Sequence, residues 1–395
     1  MNASANAEIS QNASSAGIAR RSTRVDQIDV LRGLSILAVI LLHINLRLRL
    51  GETPLGAKLP NWVVSRIVTN GYNGVIVFFA VSGFLITSTC LRRWGRLAGI
   101  SLRQFYRLRF ARIAPMLMAL LVVLSALHLL HVPYFTINAQ RSSLSRALFA
   151  ALTFHVNWLE ARHGYLPANW DILWSLSNEE VFYLALPVLC VAIRKKIGIV
   201  LTLLVFVVLG PFARVVFTRN EIWADKGYLS CMDAIAIGCL AAIAVNTVSL
   251  GRRTRVVIEV GGWSLIALVT FFRTEASYLR LFDTGLSVTV LALGAGLIAI
   301  ASVQARREGT WLLAPIRWFG RNSYEVYLTH MMMIFAMLPL AKYFDPGNRW
   351  VILWYIIMIA TAGVFGWCIA HFYSEPMNRR LRKRLQRTSH ATAAG

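Results

Sequence analysis

Residues 29–46 read DVLRGLSILAVILLHINL. Between Val30 and Ile44 the run is mostly apolar, and its ionisable residues there are an arginine near the start and a histidine near the end. About twenty such residues, rising about 1.5 Å each, cross the roughly 30 Å hydrocarbon layer of a bilayer, so the stretch predicts a membrane-spanning helix. Arg32 and His43 stand eleven positions apart. Eleven residues turn a helix through about 1,100°, within about 20° of whole turns, which puts both side chains on one face about 16 Å apart along the axis. An ionisable group inside a bilayer costs about 3 kcal/mol or more unless it is paired or hydrated. Two of them sharing a face therefore point to a site rather than to snorkelling and packing alone. Imidazole titrates near neutrality and is suited to take and return a proton.

Further apolar runs of the same length follow along the chain. By the twenty-residue criterion there are about ten spans: 28–49, 72–91, 110–131, 173–193, 197–217, 228–246, 256–273, 283–303, 324–343 and 350–371. The expected fold is an all-α integral membrane bundle of about ten helices. The stretch 146–158 is too short and too polar to cross, and is expected at the interface or folded back into the bundle. Composition agrees: the 395 residues are 57% hydrophobic, with mean hydropathy +0.57, where soluble domains have about 45–50% apolar residues.

The formal charge of +23 would suggest nucleic acid in a soluble protein. Here the basic residues sit in short connections between apolar runs, without a basic stripe interleaved with aromatics, and nucleic-acid binding is not expected. They set orientation instead. Arg20, Arg21 and Arg24, the run from Arg92 to Arg112, Arg194 to Lys196, Arg252 to Arg255, Arg306 to Arg321 and Arg379 to Arg387 all fall on one side. That side is the cytoplasm, so both termini are expected there. Residues 1–27 are polar, lack the apolar core of a signal peptide and read as a disordered cytoplasmic tail. Residues 377–395 read as a basic cytoplasmic tail. Cys90, Cys190, Cys231, Cys239 and Cys368 form no CxxC pair and lie in or beside apolar runs. They read as small buried hydrophobes, and no metal site is expected.

Polar residues inside the other spans complete the candidate set. Gly74, Ser82 and Gly83 in the second span allow close helix packing. Ser82 has no base beside it in sequence. The loop SLRQFYRLRFARIAP carries Arg103, Arg107, Arg109 and Arg112. Arginine forks match phosphate oxygens, so this loop is a candidate cradle for a cytoplasmic phosphorylated donor, with Arg109 and Arg112 on one face. In the fourth span, WDILWSLSNEEVFYLALP, Glu179 and Glu180 sit just inside the outer end. One is expected to face a polar cavity and the other the interface. The ninth span begins RNSYEVYLTHMMMIF, with Glu325, His330, Tyr324 and Tyr327 as candidates for a polar network. Asp233 and Glu259 read as partners of intramembrane arginines. The chain has no Walker motif, no dinucleotide-binding glycine fingerprint, no HExxH and no nucleophile elbow.

Six of these segments, in this order, resemble membrane acyltransferase family 3, bacterial enzymes that decorate surface polysaccharides, nodulation factors and macrolides. They are IDVLRGLSILAVILLH, GVIVFFAVSGFLIT, RLRFARIAP, WSLSNEEVFY, SYEVYLTH and HFYSEP, and they run from Ile28 to Pro376. The resemblance implies a membrane acyltransferase domain over 28–376. It implies an acyl-CoA donor, usually acetyl-CoA, reached from the cytoplasm, and no permanently bound cofactor. The acceptor would be a carbohydrate or glycoconjugate hydroxyl at the outer face of the bacterial inner membrane, with membrane lipid and glycan-assembly proteins as further partners. Arg32 and His43 match the family's essential pair, Arg109 and Arg112 its arginine pair, and Glu179 the acid of the WSL motif. Asn178 stands where an apolar residue is usual and Val181 where Gln is common. Some relatives carry a fused extracytoplasmic hydrolase-like domain; none is recognised here, so the chain is expected to act alone or with a separate partner. The main alternative is a proton-coupled transporter or exporter of saccharides, using His43 and Glu179 as a relay.

Overall fold

A computed structural model describes residues 25–305 and 309–391, with side chains except those of Asn61 and of 385–391. The expected tail 1–27 lies outside the described residues but for its last three positions. Within the described residues the chain is all-helical. Ten long helices follow the expected spans: α1 Asp26–Asn45, α2 Gly71–Trp94, α3 Leu102–Leu129, α4 Leu173–Ile193, α5 Lys196–Val216, α6 Tyr228–Val245, α7 Arg252–Thr270, α8 Leu286–Ala305, α9 Ser323–Phe344 and α10 Val351–Ile369.

Nine helical segments among the described residues are long and apolar enough to cross a membrane, which makes this a multi-pass bundle. The exception among the ten is α7. Its first eight positions carry Arg252, Arg253, Arg255 and Glu259. Only the eleven residues Val260–Thr270 are free of charge, and these cover about 16 Å against a hydrocarbon layer of about 30 Å. The expected seventh span is thus a helix packed along α8, but not one that meets the apolar criterion.

A second difference concerns the arginine-rich loop. It is not a loop: α3 begins at Leu102, so Arg103, Arg107, Arg109 and Arg112 occupy its first three turns. Arginine is a good helix former, and charge at a helix end does not stop propagation. The stretch 146–158 folds back, forming the short helices Leu144–Leu152 and Val156–His163 with Ala147, Ala150, Val156 and Leu159 buried.

The centre of the bundle is the α2–α6 pair. A Cβ on Gly83 would lie 2.1 Å from the Ile235 carbonyl oxygen, and one on Gly238 would lie 1.9 Å from that of Ala80. Only glycine allows this approach, which replaces the missing hydrophobic drive of a bilayer with van der Waals contact. Helix α1 packs on α2 and α9. Its N-terminal end is fixed by Asp26 and Asp29, which meet Arg321 at 3.4 and 3.2 Å, with Arg317 3.7 Å from Asp26.

Asp233 does pair with an intramembrane arginine. Arg214 spends all five N–H donors here: Nε on the Gly285 carbonyl, Nη1 on the Ser230 carbonyl and Asp233, Nη2 on Asp233 and Thr289. Nothing is left for a ligand, so the network is structural and ties α5, α6 and α8 together. Glu259 accepts a hydrogen bond of 3.0 Å from Gln27 Nε2.

Candidate active site

Helices α1, α2, α3, α4 and α9 enclose a cavity of about 300 Å³. Arg32 enters it from α1, Ser82 from α2, Arg109 and Arg112 from α3, Glu179 and Tyr183 from α4, Ser323, Tyr324 and Tyr327 from α9. Five segments far apart in sequence therefore converge. On α4 the lining residues Ser175, Glu179 and Tyr183 recur every fourth position, which is one face of a helix.

Two arginine clamps stand on α3. Arg109 Nη2 donates to Glu180 Oε1 at 2.6 Å, and its guanidinium lies 4.1 Å from the centre of the Tyr183 ring. Arg112 Nη1 lies 3.2 Å from Glu325 Oε1 and 4.9 Å from the Tyr324 ring centre. Each cation is thus held by one buried carboxylate and one aromatic face, which fixes a long side chain in one rotamer. Glu180 does not face the interface, as the sequence suggested. One residue on from Glu179 is about 100° around the helix, and that direction points at α3.

The segment HFYSEP finds its purpose in the second clamp. The backbone turns through a π-helical stretch at Ala370–Ser374, and Ser374 Oγ donates to Glu325 Oε1 at 2.7 Å. A π-helical turn re-aims side chains within an otherwise regular helix. Three of the quoted segments thereby meet at Arg112.

Two polar atoms in this region lack partners among the described residues. Arg109 Nε and Ser323 Oγ are buried without a hydrogen bond, although both residues line the cavity. A buried donor left unsatisfied costs about 1–3 kcal/mol. This contrasts with Arg214, and marks the Arg109 side as built for a ligand that supplies oxygens. Ser82 Oγ is hydrogen-bonded to the Tyr183 hydroxyl. Tyr183 went unnoticed in the sequence, although its place four residues after Glu179 was a readable signal.

His43 is not on the cavity wall. It forms a second centre with His330, Nδ1 to Nε2 at 2.9 Å. The protons can be placed. His330 Nδ1 lies 2.6 Å from the Tyr327 carbonyl, which only accepts, so Nδ1 carries the hydrogen. Nε2 of neutral His330 is then an acceptor, and His43 Nδ1 must be the donor. His43 Nε2 is left with a free lone pair. The same logic by which a carboxylate orients a catalytic imidazole applies here, with a second imidazole in that role. Glu179 sits on the cavity wall.

Tyr327 separates the two centres. Its hydroxyl accepts from Ser175 Oγ at 2.8 Å and donates to the Ile172 carbonyl at 3.1 Å. Its ring stands 5.7 Å from that of His330 and 6.3 Å from that of Phe78. Arg32 and His43 remain on one face of the unbroken α1, about 16 Å apart, so the cavity and the histidine pair lie along one line.

The sequence matches the acyltransferase-domain family over residues 25–373. The chain belongs to that acyltransferase family. Among curated proteins it is similar to the peptidoglycan O-acetyltransferase OatA of Listeria monocytogenes, 26% identical over 356 residues, covering 84% of this chain and 53% of that protein. A putative O-acetyltransferase of Staphylococcus aureus is 24% identical over 386 residues, covering 89% of this chain and 57% of its own length. The O-acetyltransferase OatA of Staphylococcus aureus is 24% identical over 359 residues, with 85% and 54% covered. The chain thus spans a little over half the length of these relatives. No solved structure matches it.

Proposed function

We propose that this protein is a membrane O-acyltransferase that moves an acetyl group from acetyl-CoA at the cytoplasmic side to a hydroxyl of a sugar or glycoconjugate at the outer face of the bacterial inner membrane. The observation that carries the reading is the arginine-lined cavity with its unsatisfied Arg109 Nε, in line with a histidine whose Nε2 is free. Family membership and the similarity to O-acetyltransferases support the reaction class.

Arg32, Arg109 and Arg112 hold the donor's phosphates at the N-terminal end of α1, and Glu179 balances the charge of the cavity wall. The acyl thioester extends past Tyr327 toward His43. Nε2 of His43 takes the proton of the acceptor hydroxyl, the oxygen attacks the thioester carbonyl, the C–S bond breaks, and the thiolate takes up the proton as free thiol. The same lone pair serves if His43 first carries the acyl group itself. Isolation of an acyl-His43 adduct separates the two routes. His330 is a positioning residue that fixes the His43 tautomer.

The test is mass spectrometry of envelope glycans and secreted glycosides from a strain deleted for the gene and from the same strain complemented with it. An acyl mass increment that appears only on complementation supports transfer. Saccharide export without any increment would instead place the relay transporter first.

One substitution probes the donor side. Arg109→Lys keeps the charge opposite Glu180 but loses the planar fork and much of the stacking on Tyr183. The expected result is a rise in donor KM of about tenfold, the worth of one charge-assisted hydrogen bond, with folded yield retained. Steady-state kinetics against acetyl-CoA checks it.

A further inference from the structure

Lys226 sits at the end of the short helix Glu221–Lys226, just before α6. Its ammonium is paired with Asp171 Oδ1 and stands 4.0 Å from Glu160 Oε2. The Tyr165 ring centre is 4.5 Å from it and that of Trp174 is 5.5 Å. Four side chains thus converge on one cation, and none of them lines the cavity or belongs to the histidine pair.

The position of this cluster follows from the approach to α4. Asp171 ends the short helix Ala168–Asp171, which runs into α4 as one helical segment, Ala168–Ile193, and it precedes the lining residues Ser175, Glu179 and Tyr183 by the same four-residue step, about 6 Å beyond Ser175. Trp174 packs edge-on against Phe79 of the cavity wall at 5.9 Å. Tyr327, whose ring stands 5.7 Å from that of His330, donates its hydroxyl to the carbonyl of Ile172, the residue after Asp171. The cluster therefore stands at the end of the cavity line opposite the arginine clamps, on the histidine side.

Two features speak against a purely structural ion pair. The group is held with unusual care: the backbone carbonyl of Lys226 accepts from Asn157 and from Asn178, each at 3.0 Å. Yet the polar ends are not satisfied. Glu160 is fully buried, its Oε1 accepts from the Leu166 amide at 3.1 Å, and its Oε2 has no hydrogen-bond partner among the described residues. Burial, and then the neighbouring Asp171, hold the Glu160 carboxyl well above its usual range. Lys226 and Asp171 retain partial exposure, 14% and 18% of their side chains, and Tyr165 is exposed. Carboxyl groups, an ammonium and the exposed Tyr165 ring, with Trp174 buried beneath Lys226, match a pyranose, with polar groups for vicinal hydroxyls and the Tyr165 ring for its C–H side.

We propose that Lys226, Asp171, Glu160, Trp174 and Tyr165 form the acceptor subsite, which binds the carbohydrate ring and presents one hydroxyl to His43. This deepens the acyltransferase reading and rests on it.

The experiment uses membranes from the encoding organism, deleted for the gene and complemented with wild type, Lys226→Met, Asp171→Asn or Tyr165→Ala, and radiolabelled acetyl-CoA as probe. Two quantities are read: labelled donor retained by the purified protein, and label incorporated into the membranes' own glycan. The expected outcome is at least a tenfold loss of incorporation in Lys226→Met and Asp171→Asn, and a smaller loss in the exposed Tyr165→Ala, with donor binding within twofold of wild type. Incorporation unchanged in all three overturns the subsite while leaving the acyltransferase reading standing. Parallel loss of donor binding and incorporation, with a lowered melting temperature, assigns the cluster to structure and also overturns it. Absence of incorporation by the wild type removes the acyltransferase reading and the subsite together.

Discussion

His43→Ala is expected to lower acyl transfer by about 10²- to 10⁴-fold, the usual contribution of a positioned general base. Folded yield and donor binding should stay unchanged. The reason lies in the separation of the centres: the arginine clamps proposed to hold the donor sit on α3, whereas His43 faces α9 at 2.9 Å from His330. His330→Ala should lose less, about tenfold to a hundredfold, because it removes only the fixed tautomer and ring orientation. Kinetics of both variants against acceptor and donor, at matched protein levels, check the result. If His330→Ala proves as severe as His43→Ala, the assignment of base and positioning residue must be reversed.

The second large effect concerns stability. Asp233→Ala should destabilise the bundle by about 3–5 kcal/mol, because it leaves the buried Arg214 charge without its counter-ion. Arg214 is 7% exposed and Asp233 not at all, so water cannot take over the lost contacts. The paired replacement Arg214→Met with Asp233→Leu should recover most of the loss, since a matched apolar pair removes both desolvation terms. Thermal melting in detergent, followed by size-exclusion profile, measures this. Molecules that do fold should keep their catalytic rate, for the network has no donor to spare and stands apart from the cavity.

The sequence made the local geometry legible and left the long-range geometry hidden. That Arg32 and His43 share a face follows from helical spacing alone, and α1 runs unbroken through both. The apolar runs placed all ten long helices to within a few residues, except where charge blurred them. The arginine-rich start of α3 looked like a loop because polarity was taken for irregularity. The seventh run looks long enough in the sequence because Arg252, Arg253 and Arg255 read as its flank, whereas they begin the helix itself. Of the candidate residues, Arg32, Ser82, Arg109, Arg112, Glu179 and Tyr324 do line one cavity. Glu180 and His330 lie just outside it, as partners of Arg109 and His43.

Pairings across the bundle had no local signal. His43 and His330 are 287 positions apart, and Arg109 and Glu180 are 71 apart. Each partner was visible as a costly polar residue in a span, but which met which depends on helix packing. Lys226 was hidden for a different reason. It stands in a short connection where a basic residue is unremarkable, and only the convergence of Glu160, Asp171 and two rings upon it distinguishes it from a solvated lysine.

The measurement that tests the central claim most directly uses sealed inverted membrane vesicles from the encoding organism, with labelled acetyl-CoA added outside. The account predicts label accumulating in glycan within the vesicle lumen and one free thiol released outside per label transferred. Both signals should be lost with His43→Ala. Wild-type vesicles that release no thiol and leave their glycan unlabelled, while holding folded protein, would contradict it.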